Sequence, residues 1–232
     1  MISPKRVNPE SMKMRPLRTE KIKIEEKPER PVYLFRDEKE QTKFCLGLRN
    51  FIRKSLEYKD YISFLKNTMD WKRCAILKNA INANGKRYTI EIHHEPFTLF
   101  DIIDTVVRYY IANDIPINPF AVAEKVMELH YDGRVGLINL SKTQHELVGS
   151  GQIFIPLQFI YHDYYSFYDE YKLYMSDAVK EKLKIKTEMS IRCDQIQSNV
   201  LKPEFVDMEV DGFVFPSVPE EWGKLLEEVS IK

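Results

Sequence analysis

The sequence has little cysteine, little glycine and no excess of charge of either sign. Only three of its 232 residues are cysteine and eight are glycine, while 35 basic side chains balance 35 acidic ones. The cysteines are far apart and form no CxxC pair, which excludes a disulfide scaffold and favours a reducing, intracellular setting. A net charge of zero predicts no long-range attraction to nucleic acid, although local patches are allowed.

The sequence also lacks long apolar runs and the glycine-rich loops of several enzyme classes. No apolar run approaches the roughly 18 residues needed to cross a bilayer, and the N-terminus has no apolar signal-peptide core, so we expect no membrane association. Neither a phosphate-binding glycine loop nor a G-x-S-x-G elbow is present. Cys193 has no histidine near it in the sequence, which argues against a thiol enzyme.

Residues 1–36 are predicted to form an extended arm. Residues 1–31 contain five prolines, no aromatic residue, nine basic and five acidic side chains, which gives the arm a charge of +4. Such a composition cannot bury enough surface to fold alone. The arm is either a solvated tail or a segment that lies on a phosphate backbone or a protein partner.

Residues 37–175 are predicted to form a mostly helical domain. Apolar spacing predicts two helices over 37–69 with Asp37 as N-cap, and capping boxes or proline predict helices that start at Thr98, Pro119 and Lys142. The last of these should end near Val148, because Gly149-Ser150-Gly151 is a helix stop. Strands are predicted over 71–77, 88–94 and 135–140, with turn residues at 82–85.

Two further segments complete the prediction. Six tyrosines between Tyr161 and Tyr174 recur at helical spacing, which favours core packing or a protein interface, with base stacking as the alternative. Residues 176–232 form a less regular C-terminal extension, with a hairpin between Met208 and Phe215 and a terminal helix from Pro219. The predicted fold class is α+β, mostly helical, with a small ββα element and the extended N-terminal arm.

Histidines mark the one candidate site. His93 and His145 could bind a divalent metal through neutral imidazole, and Glu91, on the same strand face as His93, could orient a ligand or a bound water. His94 faces the other way and is expected to be free to take a proton from water. The alternative is that the adjacent histidines are simply satisfied by backbone or solvent.

These residues carry a family resemblance. The stretch EIHHEP at 91–96, followed by LINLSKTQH at 137–145, resembles the HNH (ββα-metal) nuclease motif, and within it the HHxPFTLxDI and LSKTxHEL stretches of uncharacterised bacteriophage proteins. The similarity spans about residues 70–175. It implies that His93 is a metal ligand, that His94 is the general base, and that His145 is the first histidine of an H-x3-H pair.

The motif is degenerate at two places. Gly149 stands where the second histidine of H-x3-H belongs, and Gly136 stands near the position of the central asparagine, with Asn139 out of register. His130, His162 or Glu91 could supply the missing ligand. A depleted site predicts weak or lost phosphodiesterase activity.

Two functions follow as alternatives. The first is a phage HNH-like nuclease homologue, associated with nucleic acid through its basic arm, which binds Mg²⁺, Mn²⁺, Ni²⁺ or Zn²⁺ or has lost its metal. The second is a non-enzymatic structural or partner-binding component of a phage assembly, either a virion or a transcription complex, which binds proteins through the arm and the Tyr161–Tyr174 helix. The expected location is the host cytoplasm or the virion.

Overall fold

The structure, a computed structural model, describes residues 34–76 and 88–199. These residues are mostly helical with one small antiparallel sheet, which confirms the α+β class. The elements are α1 (Glu38–Lys54), α2 (Leu56–Asn67), β1 (Ile90–His94), α3 (Leu99–Ala112), α4 (Pro119–Tyr131), β2 (Leu137–Ser141), α5 (Lys142–Gly149), a 3-10 turn (Leu157–Phe159), α6 (Tyr164–Tyr171) and α7 (Asp177–Asn199). Most of the predicted arm, the turn at 82–85, the hairpin at 208–215 and the terminal helix lie outside the described residues.

The predicted helix starts are confirmed where the sequence carries caps. Asp37 Oδ1 accepts from the Glu40 amide at 2.9 Å. Thr98 and Asp101 form both hydrogen bonds of a capping box, and Asn118 caps α4 with proline at its first turn. These side chains satisfy amides that the first helical turn leaves without intrahelical acceptors.

The box predicted at the start of α5 is only half formed. Ser141 Oγ accepts from the Gln144 amide at 3.3 Å. The Gln144 side chain instead accepts from Cys74 Sγ at 2.5 Å, so it ties α5 to the segment after α2. The helix ends at Gly149, and Gly151 has a φ of +73°, as expected for the glycine stop.

Helix α3 forms the centre of the core. It packs against α1, α4 and α6. Its inward side chains are at most 1% exposed, and burial of each such aliphatic group contributes roughly 1.5–3 kcal/mol. They are Leu99, Ile102, Ile103, Val106 and Val107.

The sheet consists of β1 and β2, which are antiparallel, with α3 and α4 inserted between them in sequence. Glu91 pairs with Leu140, and His93 pairs with Ile138. Because α5 begins at the residue after β2, its first turns lie beside β1. The sheet therefore brings residues about fifty positions apart into one neighbourhood.

The strand predicted over 71–77 is wrong for the described residues 71–76, which are not in a strand. Asn139 holds this segment beside β2, since its Nδ2 donates to the Arg73 carbonyl at 2.5 Å and its own carbonyl accepts from the Ala75 amide at 2.8 Å. A side-chain amide thus replaces part of the backbone ladder that a strand would make.

The tyrosine-rich segment is core, as the first interpretation predicted. Tyr161, Tyr164 and Tyr168 are at most 8% exposed, and Tyr171 is fully buried. Rings in the interior cannot stack on bases. The base-stacking alternative is therefore wrong for these four residues.

Helix α7 is a feature that the sequence prediction missed, because the C-terminal extension from residue 176 was expected to be less regular. Its buried face carries Val179, Leu183, Thr187 and Ser190. Val179 and Leu183 belong to the same buried core as α3. The division at residue 176 stays a prediction, but α7 is packed on the preceding domain. Of the described helices, none has both the length and the apolar character needed to span a membrane.

Candidate functional site

Glu91, His93 and His145 meet where α5 lies against β1. The Glu91 carboxylate is 2.7 Å from His145 Nδ1. The rings of His93 and His145 contact edge to face, with centroids 4.9 Å apart. This contact depends on alternation in β1, which puts Glu91 and His93 on one face, and on the capped start of α5, which places His145 one turn later.

A second carboxylate lies behind His93. His93 Nε2 is 3.3 Å from Glu95 Oε2, and the Lys186 ammonium of α7 forms an ion pair with the other Glu95 oxygen. The Glu95 side chain is only 4% exposed and the Lys186 side chain 18% exposed. Burial lowers the pKa of Lys186 to about 8. The ion pair therefore joins the end of β1 to α7 in a largely dry environment.

Helix α7 makes another polar contact nearby. Lys182 Nζ lies 3.0 Å from Asp101 Oδ2, the oxygen that also accepts from the Thr98 amide in the capping box. The carboxylate that caps α3 thus also binds α7. Glu91, His93, Glu95, Asp101, His145, Lys182 and Lys186 are called the polar cluster below.

His94 lies on the opposite face of β1, in the interior. It is 6% exposed, and its Nε2 is 3.0 Å from His130 Nε2. His130 Nδ1 lies 2.6 Å from the Val126 carbonyl, which can only accept. We therefore assign the Nδ1 proton to His130, which makes its Nε2 the acceptor and His94 Nε2 the donor.

The buried histidines are neutral at physiological pH. Burial, and then the neighbouring His130, moves the pKa of His94 well below its usual value. Burial also lowers the pKa of His130 to about 4. The expectation that His94 is free to take a proton from water does not match this position, because the ring is enclosed and its Nε2 is already hydrogen-bonded.

The polar cluster also disfavours charged imidazole. Burial, and then the positive charges of Lys186 and Lys182, lowers the pKa of His93 to about 4. Burial and the adjacent His93 lower the pKa of His145, and Glu91 opposes them. Both rings are therefore neutral near pH 7, the form that binds metals.

The directions of the carboxylates bear on metal binding at this site. In the described part of the chain, no group of three or more His, Cys, Asp or Glu side chains is arranged to hold a metal ion. The Glu91 carboxylate is directed at His145 Nδ1, and His93 Nε2 is directed at Glu95. Each carboxylate therefore meets an imidazole nitrogen directly, and a metal at His93 and His145 stays a prediction.

Sequence reasoning missed Glu95 and Lys186 as members of this region. Glu95 follows the two histidines directly and could have been included from its position after the strand. His130 was named as a possible third ligand, but the structure places it against His94, a contact that depends on how α4 packs. Lys186 offered no signal, since nothing in the sequence places α7 beside β1.

Comparison with known proteins identifies the class. A family model described as bacteriophage G278-like virion protein matches residues 8–211. The match covers most of the chain, and the chain therefore belongs to this family. No curated protein and no solved structure matches it.

This finding corrects the interpretation of the histidine motif. The identification as an HNH nuclease is wrong, because the family is one of virion proteins and no nuclease family matches. The bacteriophage origin and the virion location are confirmed. The structure brings His93, His145 and Glu91 together and keeps His94 apart, and the comparisons assign no role to any of the four.

Proposed function

We propose that this virion protein is a non-enzymatic structural component that binds other proteins of the particle. The observation that carries the proposal is the internal pairing of the polar cluster in a chain of a virion family. The carboxylates of Glu91, Glu95 and Asp101 each face a basic side chain of the same chain. Side chains that pair with one another across β1, α3, α5 and α7 stabilise the arrangement of these elements.

The burial of this cluster supports the same conclusion. A buried ion pair is destabilising to break, because the remaining charge stays in the interior without a partner. Glu95 and Lys186 meet this description, whereas Glu91 and His145 are about one-third exposed and should contribute little. The Glu95–Lys186 ion pair should therefore contribute most of the stability that the polar cluster provides, and the Glu91–His145 contact little.

An exposed aromatic pair supplies a surface for protein contact. Phe51 of α1 and Phe120 of α4 contact edge to face at 5.8 Å. They are 47% and 62% exposed, respectively. Aromatic residues are enriched in protein interfaces, where burial of the ring area stabilises the complex. We infer that this pair contacts a neighbouring virion protein.

Particle incorporation tests the contact. Phage carrying Phe51→Ser with Phe120→Ser should contain at least roughly tenfold less of the protein in purified particles, since both aromatic anchors are removed. Quantitative immunoblotting of gradient-purified particles measures this. The control is Leu173→Ser, which alters another exposed apolar residue, 81% exposed. Normal incorporation of the double variant would contradict the proposed contact.

A second variant separates a structural role from an enzymatic one. Phage carrying His145→Gln should assemble, incorporate the protein and infect like the parent, because this partly exposed ring contributes little to stability. Plaque titre and particle composition are measured together. Normal incorporation with a large drop in titre would contradict a purely structural role.

A further inference from the structure

Over residues 185–190, helix α7 has apolar side chains on its outer face and hydroxyl side chains on its inner face. Ile185 and Met189, one turn apart, are 48% and 40% exposed. Thr187 and Ser190, on the buried face, are each 1% exposed. Surface helices usually show the reverse pattern, with the apolar stripe facing the core.

The hydroxyl side chains on the inner face are satisfied by hydrogen bonds. Thr187 Oγ1 donates to the Leu183 carbonyl at 2.8 Å, and Ser190 Oγ donates to the Lys186 carbonyl at 2.8 Å. Ser190 Oγ also accepts from the Leu157 amide at 2.9 Å. The first two bonds lie within α7. The bond from Leu157, the two lysine ion pairs and the buried apolar residues at the start of the helix attach α7 to the rest of the chain. The outer apolar pair is exposed and takes no part in this attachment.

The apolar spacing extends along the helix. Cys193 follows Met189 at the same interval and is partly exposed. Residues three and four apart lie on one helix face. A stripe of this kind is typical of a helix that packs against another helix.

The charges beside the stripe are arranged symmetrically about its middle. The midpoint of Ile185 and Met189 lies at position 187. The midpoint of Glu181 and Arg192 lies at 186.5, and that of Lys184 and Glu188 at 186, so the three pairs are centred within one residue of each other. Glu181 and Arg192 are exposed, and Lys184 and Glu188 are partly exposed. Across the described residues, none of these four side chains is in an ion pair within the chain.

We propose that α7 pairs with α7 of a second copy of this chain, in an antiparallel arrangement about a two-fold axis between residues 186 and 187. In such a pair Ile185 meets Met189 of the other copy. Glu181 then faces Arg192, and Lys184 faces Glu188, twice each by symmetry. Glu181 and Glu188 thus each have a basic counterpart within about one residue of the mirrored position, and this pattern fits a second copy of the same helix.

This inference goes beyond the proposed function, because the partner is the chain itself and the purified protein suffices for the test. Sedimentation velocity of the full-length protein over a concentration series should show a species of about 55 kDa, twice the 27.5 kDa chain. Ile185→Glu with Met189→Glu should raise the dimer dissociation constant at least roughly tenfold, with circular dichroism unchanged. The matched control is Ile111→Glu, which alters a residue 47% exposed on α3.

Charge-reversal variants then test whether the partner is a second copy of the chain and whether the two helices are antiparallel. Glu181→Arg places two cations opposite each other and should weaken the dimer, as Arg192→Glu should by placing two anions together. The double variant Glu181→Arg/Arg192→Glu should restore it, because the pair is rebuilt with exchanged signs. A monomer at all concentrations overturns the proposal. So does a dimer that ignores the apolar substitutions, or one that the double reversal fails to restore.

Discussion

Gly136 shows how a single residue is fixed by backbone contact. A Cβ atom at this position would lie 2.0 Å from the Glu95 carbonyl oxygen, far inside van der Waals contact. The close approach arises because the Glu95 amide donates to the Gly136 carbonyl at 3.0 Å, where β1 ends and β2 begins. The residue that departs from the nuclease motif is therefore required by the fold.

Gly136→Ala should be strongly destabilising. The added methyl group meets backbone, which cannot rotate away, so we expect the free energy of unfolding to fall by about 3 kcal/mol or more. Urea unfolding followed by circular dichroism measures this. Gly149→Ala is the control, because a Cβ there meets nothing within 4 Å. Equal stability of the two variants would show that the strand ends can separate without cost.

Stability should fall as the pH falls below about 6.5. The pKa values of His93 and His130 lie near 4 in the folded protein and near 6.5 in the unfolded chain. The unfolded state therefore binds more protons between these limits, and the stability that each neutral ring contributes falls by on the order of 3 kcal/mol across this range. Urea unfolding at pH 7, 6, 5 and 4.5 measures the slope.

The His93→Gln variant tests how much of the pH dependence of the unfolding free energy is due to His93. Its unfolding free energy should depend less on pH than that of the parent, since one titrating group is gone. His145→Gln is the neighbouring control and should flatten the profile less, because His145 is more exposed than His93. An unchanged slope in His93→Gln would mean that other groups cause the acid sensitivity.

Thermal unfolding with added divalent ions tests whether His93 and His145 bind a metal. An ion that binds only the folded chain stabilises it. If the predicted site exists, Zn²⁺ or Ni²⁺ at roughly 100-fold excess over its dissociation constant raises the free energy of unfolding by about 2.7 kcal/mol. The rise should disappear in His145→Ala and with a chelator. No change in melting temperature with any divalent ion would contradict the prediction.

At the scale of elements, α7 is joined to the rest of the chain through lysines. Lys182 binds the cap of α3 and Lys186 binds the end of β1. The buried face of α7 carries Val179 and Leu183 near its start, but Thr187 and Ser190 further along, where aliphatic residues would be usual. The ion pairs therefore contribute a larger share of the docking of α7 than they would beneath an aliphatic face.

The Lys186→Met variant tests how much the Glu95–Lys186 ion pair contributes to stability. The substitution leaves the Glu95 carboxylate buried without its basic partner, and we expect a destabilisation of about 3 kcal/mol. Lys180→Met is the matched control, because Lys180 pairs with a fully exposed Asp177 and should cost less than about 1 kcal/mol. Thermal unfolding of the two variants measures the difference. A Lys186→Met protein as stable as the control would mean that Glu95 is compensated in another way.

The element predictions succeeded where local chemistry acts alone. Asp37, Thr98 and Asn118 begin helices because their side chains bind amides two or three residues away, and this needs no tertiary contact. Helix α7 was missed because its buried positions include Thr187 and Ser190, which break the apolar period. The segment 71–76 was misassigned because the Asn139 side chain replaces its ladder contacts.

At the scale of the whole molecule, the family match covers residues 8–211 and so includes most of the basic arm. The arm carries a charge of +4 in a chain that is neutral overall. A virion contains both nucleic acid and protein, and a basic segment can bind either one. The prediction that the arm contacts phosphates is therefore open to direct measurement.

The protein truncated to residues 32–232 should bind double-stranded DNA more weakly than the full chain. For each phosphate that the missing arm no longer neutralises, the dependence of log affinity on log salt should flatten by about one unit. Fluorescence anisotropy at several salt concentrations measures both quantities. Lys21→Gln with Lys23→Gln in the full chain is the matched variant with the arm length kept. Identical affinity and slope for full and truncated chains would assign the arm to protein contacts or solvent.

The sequence alone determined where most helices begin and that Glu91 and His93 share one face of β1. These properties depend on spacing and on interactions between near neighbours, which the order of residues specifies. The tertiary structure decided that His94 is buried against His130, that Lys186 reaches Glu95, and that Gly136 has no room for a side chain. Each of these depends on the approach of elements that are distant in the chain, so it is set by packing of the whole core.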